Sequence, residues 1–218
     1  MRRFIPTFLI IILVLAVYPF IGMDNSDKPK LSGLPWQIEI LPDGNSKTFG
    51  ITPGVSTLQQ AAAVLGDDYK LAIVENASGI SLEMYFGNYR AGLMAAKMVL
   101  VAETDAQQLR QWQQRAIKSD YMETGTAKKY ALDETDKALA MRSVLRAIAF
   151  IPAVNLDDEI VRKRFGEPAE LLETGDGIKH YLYPEKGLVI ALGDKAKEVL
   201  QYVAPQNFNS LRAPLVEN

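Results

Sequence analysis

Polar and apolar positions change period several times along the chain, and each change marks an element. Ser56 is placed to cap a helix whose apolar face is Leu58, Ala61, Ala62 and Leu65, and Gly66 is placed to end it. The period then drops to two. Residues 69–75 predict a strand, Asn76-Ala77-Ser78-Gly79 a turn, residues 80–86 a second strand and Gly87-Asn88 another turn. Residues 91–102 are apolar enough for one long strand or two short ones. The same order returns later. Asn155 or Asp157 caps a helix carrying Ile160, Val161 and Phe165, which Gly166-Glu167-Pro168 ends. Strands are expected at 169–174, 178–183, 188–192 and 197–203, divided by Gly175-Asp176-Gly177, Pro184-Glu185-Lys186-Gly187 and Gly193-Asp194-Lys195.

Residues 104–150 separate these two units and follow a helical period. Leu109, Trp112, Arg115 and Ala116 share one face. Residues 119–126 break the pattern. Leu139, Arg142, Leu145, Arg146 and Ala149 resume it until Pro152. Two helices joined by a loop, packed as a hairpin, are expected here.

Residues 4–23 form an apolar run behind Arg2 and Arg3. About 18 to 20 helical residues cross the roughly 30 Å hydrocarbon core. Arginines flanking such a run stay on the cytoplasmic side. A cleaved signal peptide is the rival, but Tyr18, Pro19, Phe20 and Ile21 stand where its small residues belong. The expectation is an uncleaved, single-pass inner-membrane anchor, with a cytoplasmic N-terminus and the rest of the chain in the periplasm. Residues 24–30 read as a linker. Trp36, Ile38 and Ile40 alternate as in a strand, placed to join the edge of the following sheet, with Trp36 in the core.

The fold class predicted is therefore α+β: an N-terminal transmembrane helix, then two helix-plus-antiparallel-meander units separated by a helical insertion. The divisions are 1–23 anchor or signal, 24–48 linker and edge strand, 49–103 first unit, 104–150 insertion, 151–204 second unit and 205–218 tail. Laid over each other, the units match Gly66 with Gly166, Gly79-Ile80 with Gly177-Ile178, Tyr85 with Tyr183 and Gly92-Leu93 with Gly187-Leu188. Duplication of one helix-and-meander unit accounts for that order. Two stacked copies also bury faces that one alone leaves wet.

Through Phe165-Gly166-Glu167-Pro168, Tyr181-Leu182-Tyr183-Pro184 and Gly187-Leu188-Val189-Ile190, the second unit resembles the BamE (SmpA/OmlA-like) small envelope lipoproteins. The tandem arrangement is similar to that of the β-lactamase inhibitory proteins. The resemblance implies a binding or scaffolding module of a Gram-negative envelope. The lipidated cysteine of the BamE family has no counterpart here, because the chain has no cysteine.

Composition narrows the chemistry. With 24 basic and 26 acidic residues and a net charge of −2, the near-neutral balance gives no reason to expect nucleic acid as a partner. The absence of cysteine rules out disulfides and thiolate chemistry. The single histidine, His180, sits in a predicted strand, so a catalytic triad would depend on it alone. Asp157-Asp158-Glu159 and Asp67-Asp68 are better explained as helix-start and turn residues than as cation ligands. No metal, cofactor or catalytic residue is expected. Candidate partner or lipid contacts are Arg162, Lys163 and Arg164 on the second-unit helix and Trp112 on the insertion. The function expected is a non-catalytic, membrane-anchored periplasmic interaction or scaffolding module with an envelope protein partner. The alternative is a small-ligand or lipid-binding protein, or an enzyme, with a pocket between the two units.

Overall fold

Among the described residues, ten antiparallel strands form one sheet; four short α-helices cover one of its faces, and the last α-helix covers part of the other. The computed structural model describes residues 33–122, 125–193 and 196–216. A two-strand hairpin, β1 (Glu39–Ile40) and β2 (Ser46–Lys47), stands apart from the sheet. There follow α1 (Leu58–Leu65), β3 (Lys70–Asn76), β4 (Gly79–Ala91), β5 (Met94–Ala102), α2 (Ala106–Gln114), β6 (Lys118–Tyr121), β7 (Lys128–Ala131) and α3 (Glu134–Ala140). Next come β8 (Leu145–Pro152), α4 (Asp158–Phe165), β9 (Glu170–Glu173), β10 (Lys179–Tyr183), β11 (Leu188–Leu192), β12 (Val199–Val203) and α5 (Asn209–Val216).

The strand order is β6-β7-β3-β4-β5-β8-β12-β11-β10-β9. Without the β6–β7 hairpin it is symmetric in its elements. One half runs inward from β3 to β8, the other from β9 to β12. The innermost strands pair antiparallel, Phe150 opposite Leu200 and Ile148 opposite Tyr202. Such a pairing relates the halves by an approximate twofold normal to the sheet. That operation keeps α1 and α4 on the same face, where they bury Leu58 and Ala61, and Val161 and Phe165. Thr57 makes a full capping box with Gln60 at the start of α1, and Asp157 accepts from the Ile160 N–H at the start of α4. Gly66 and Gly166 end the two helices at φ +106° and +85°, a region that a side chain disfavours.

The chain before α1 fills the helix-side gap over the centre of the sheet. Phe49 stacks on Phe150 with centroids 5.1 Å apart and meets Tyr202 and Tyr89 edge-on. The buried Tyr202 hydroxyl donates to the Pro35 carbonyl at 2.9 Å, and Trp36 packs edge-on against Phe165. Phe49 itself holds φ +51°, uncommon for a residue with a side chain.

These observations correct several expectations. The expected anchor, residues 1–23, lies outside the described residues. Among the described residues no helix is long and apolar enough to cross a membrane, so the structure gives no support to a single-pass inner-membrane topology. The two units are halves of one ten-stranded sheet, not separate α+β bodies, because β8 and β12 hydrogen-bond across the join.

The helical insertion is also corrected. Only Ala106–Gln114 and Glu134–Ala140 are helical, the break between them is the β6–β7 hairpin, and residues 145–152 form β8. Small Ala147 and Ala149 on one side of β8, against Ile148 and Phe150 on the other, imitate a helical stripe. The strand expected over residues 34–41 shrinks to Glu39–Ile40 and pairs only with β2.

The residue matches between the halves slip. Gly92-Leu93 is a two-residue turn with Ala91 opposite Met94, whereas Pro184–Gly187 joins Tyr183 to Leu188. Tyr183 is buried on the helix side and donates to the Gly166 carbonyl. Tyr85 lies on the opposite face. A slip of one residue reverses the face of a strand.

Candidate functional site

The alternation that buries one face of the sheet builds the other. In β4, Leu82, Met84 and Phe86 point under the helices, so Ser81, Glu83 and Tyr85 point away. In β5, Met98 and Leu100 are buried and leave Lys97 and Val99 on the far side. Register then assembles cross-strand rows. Lys70 pairs with Tyr85, Tyr85 with Val99 and Val99 with Ala149. The row continues into the second half through Gln201, Val189, Leu182 and Glu170.

The two ends of this row differ in environment. In the second half, Phe208, Leu211 and Leu215 pack on Leu182, Val189 and Leu172. Arg212 of α5 clamps Glu170 with donors at 2.8 and 3.0 Å, and this pair holds the Glu170 carboxyl below its usual range. In the first half the row opens into a shallow depression of about 570 Å³. The buried Val74 and the partly buried Ala72, Tyr85 and Val99 form its floor, the exposed Lys70, Lys97 and Lys129 its rim, and Met122 completes the lining. The Tyr85 ring lies beside Gly87, where an added Cβ would sit 3.4 Å from the ring edge. Glu83, the one carboxylate of this depression, accepts from the Ser81 hydroxyl at 2.7 Å. A second depression, of about 390 Å³, adjoins it through Lys97 and adds Arg90, Ile151 and Lys197.

The residues singled out from sequence lie elsewhere. Trp112 is buried in the helix-side core at 4% exposure, which corrects its assignment as a surface contact. Arg162 is engaged by Asp158 and Glu167 and stands over the Tyr181 ring. Its hydrogen bond, with a second from Tyr181, lowers the Asp158 carboxyl, while burial and Asp158 push the Tyr181 hydroxyl up to about 12. Arg164 lies 4.7 Å from the Trp36 ring centroid, and Lys163 is exposed. Of the three, Arg164 alone ties the first described segment to α4, and none of them lines either depression. Sequence reasoning missed Lys70, Lys97 and Lys129. Their signal was Lys-x-Ala-x-Val at 70–74, Lys-x-Val at 97–99 and Lys-x-Ala at 129–131, with lysine sharing a strand face with small apolar residues.

His180 lies on this face in the second half. The Thr174 hydroxyl donates to Asp176 at 2.6 Å and sits 3.2 Å from His180 Nε2. A hydroxyl has one proton, so with Asp176 accepting it His180 must supply the N–H. That is the reverse of the arrangement in which histidine activates a nucleophile. Burial lowers the His180 pKa, with Asp176 opposing. Among the described residues no three carboxylate or histidine side chains gather as a metal site.

No protein-family model matches the chain, and neither a curated protein nor a solved structure matches it.

Proposed function

We propose that this chain is a non-catalytic interaction module that receives a protein partner on the open sheet face of its first half. One observation carries the reading. The two halves share an architecture, yet α5 covers this face in the second half, while in the first half it forms an open depression. A recessed apolar floor with a polar rim is the anatomy of a protein-binding patch. The resemblance of the second half to BamE-type envelope domains supports a scaffolding role, and it remains part of this proposal.

The test uses a plug. Ala72→Trp fills the floor from the middle of β3 and should lower partner affinity about tenfold or more, whereas Gln111→Trp, on the exposed helix side, should leave it unchanged. A protein retained by wild type and by the Gln111 variant, and lost by the Ala72 variant, supports the proposal. Equal retention by all three refutes it.

A further inference from the structure

We infer that the segment received on this face is acidic, an inference that rests on the interaction reading above. The chain as a whole carries −2, but the charge is unevenly placed. The two adjoining depressions are lined by five cations, Lys70, Arg90, Lys97, Lys129 and Lys197, against one carboxylate, Glu83. Glu83 is held by Ser81. None of the five cations forms an ion pair among the described residues, and Asp120, opposite Lys129 in the register, is taken by Lys118 at 3.0 Å. This contrasts with Arg162 and Arg212, which are neutralised by carboxylates of the same chain. Unpaired lysines around an apolar floor repel each other, and an incoming carboxylate relieves that repulsion.

The shape selects among anionic partners. A bilayer surface is met by protruding apolar side chains. Here Ala72, Val74 and Val99 lie among lysine side chains, and Met122, 41% exposed, is the one apolar side chain of the lining that stands out. That is too little for a bilayer and suits a protruding occupant. Single-stranded nucleic acid is held by successive aromatic platforms, and these two depressions offer one aromatic ring, Tyr85. A protein loop bearing aspartate or glutamate beside one or two apolar side chains satisfies both the rim and the floor.

The experiment pans a phage-displayed random dodecapeptide library against the full chain, with the Ala72→Trp protein as counter-selection. Enriched peptides should be rich in Asp and Glu. Their affinity should fall about tenfold or more in a Lys70→Gln/Lys97→Gln/Lys129→Gln triple variant and recover when the same three positions are arginine. It should also fall as salt rises from about 50 to 500 mM, because exposed charges are screened. Unchanged thermal melting of the triple variant confirms that it is folded. Neutral or basic peptides that still discriminate against the Ala72 variant overturn the acidic inference and leave the interaction reading standing. If no discriminating peptide is recovered, both fall. A single-stranded oligonucleotide or phosphatidylglycerol vesicles binding through the same three lysines more tightly than the peptides would replace the protein partner and overturn the inference.

Discussion

Phe49 holds the two halves together on the helix side, and its backbone makes an unusual prediction. Its ring touches Tyr89, Phe150 and Tyr202, drawn from β4, β8 and β12. Phe49→Ala empties that site, and truncating a buried phenylalanine costs about 3–5 kcal/mol. For a domain of this size each kcal/mol lowers Tm by about 2–4 °C, so Tm should fall by about 6–20 °C. Glycine would ordinarily be worse than alanine by about 0.5–1 kcal/mol, through its greater freedom when unfolded. At φ +51°, however, a Cβ costs about 1–2 kcal/mol that glycine avoids. Phe49→Gly should therefore be as stable as Phe49→Ala or better, by up to about 1.5 kcal/mol. Differential scanning calorimetry and urea unfolding of both variants read this directly. A glycine variant clearly less stable than the alanine variant contradicts the left-handed backbone. A loss below about 1 kcal/mol in both contradicts the ring cluster as the joint of the two halves.

Three other outcomes follow from the same structure. Gly187→Ala places a Cβ 2.0 Å from the Val203 carbonyl oxygen at φ +62°, whereas Gly44→Ala, at φ +81°, meets nothing within 4 Å. Urea midpoints should show about 2–5 kcal/mol lost in the first and about 1–2 kcal/mol in the second. Tyr202→Phe leaves the Pro35 carbonyl without its donor and should cost about 1–3 kcal/mol without change in the m-value. Because the folded His180 pKa lies below its unfolded value near 6.5, its contribution is intact above that pH and is lost as protons bind the unfolded chain below it. Stability should decline between pH 7 and 5, less steeply in His180→Gln, and equal slopes in the two proteins would contradict the assignment.

How far the fold was legible depended on the range of the interactions that decide it. The ends of α1 and α4 were legible because the Gly66 and Gly166 caps are local features. The strands around Gly79 and Gly177 were legible because alternation and turn glycines lie within a few residues of each other. The join between β8 and β12 was not, since nothing near Ile148 or Leu200 specifies which strand it will meet. The same limit hid the site. Lys70, Lys97 and Lys129 are far apart in sequence, and only register sets them round one floor. Conversely, Arg162, Lys163 and Arg164 are conspicuous because they are consecutive. That spacing spreads them round α4, where two of them serve Asp158, Glu167 and Trp36. Trp112 was misplaced although its stripe was legible: it shares a face with Leu109, and that apolar face is the one that packs into the core.

On the proposed reading, partners enter over strands β3, β4 and β5 from the face opposite α1 and α2. The most direct measurement is site-specific photocrosslinking in living cells, with p-benzoylphenylalanine at Tyr85, at Val99 and, as the opposite-face reference, at Gln111. One discrete adduct of the same mass is expected from Tyr85 and Val99 and none from Gln111. The same adduct from Gln111, or none from either sheet position, would contradict that reading.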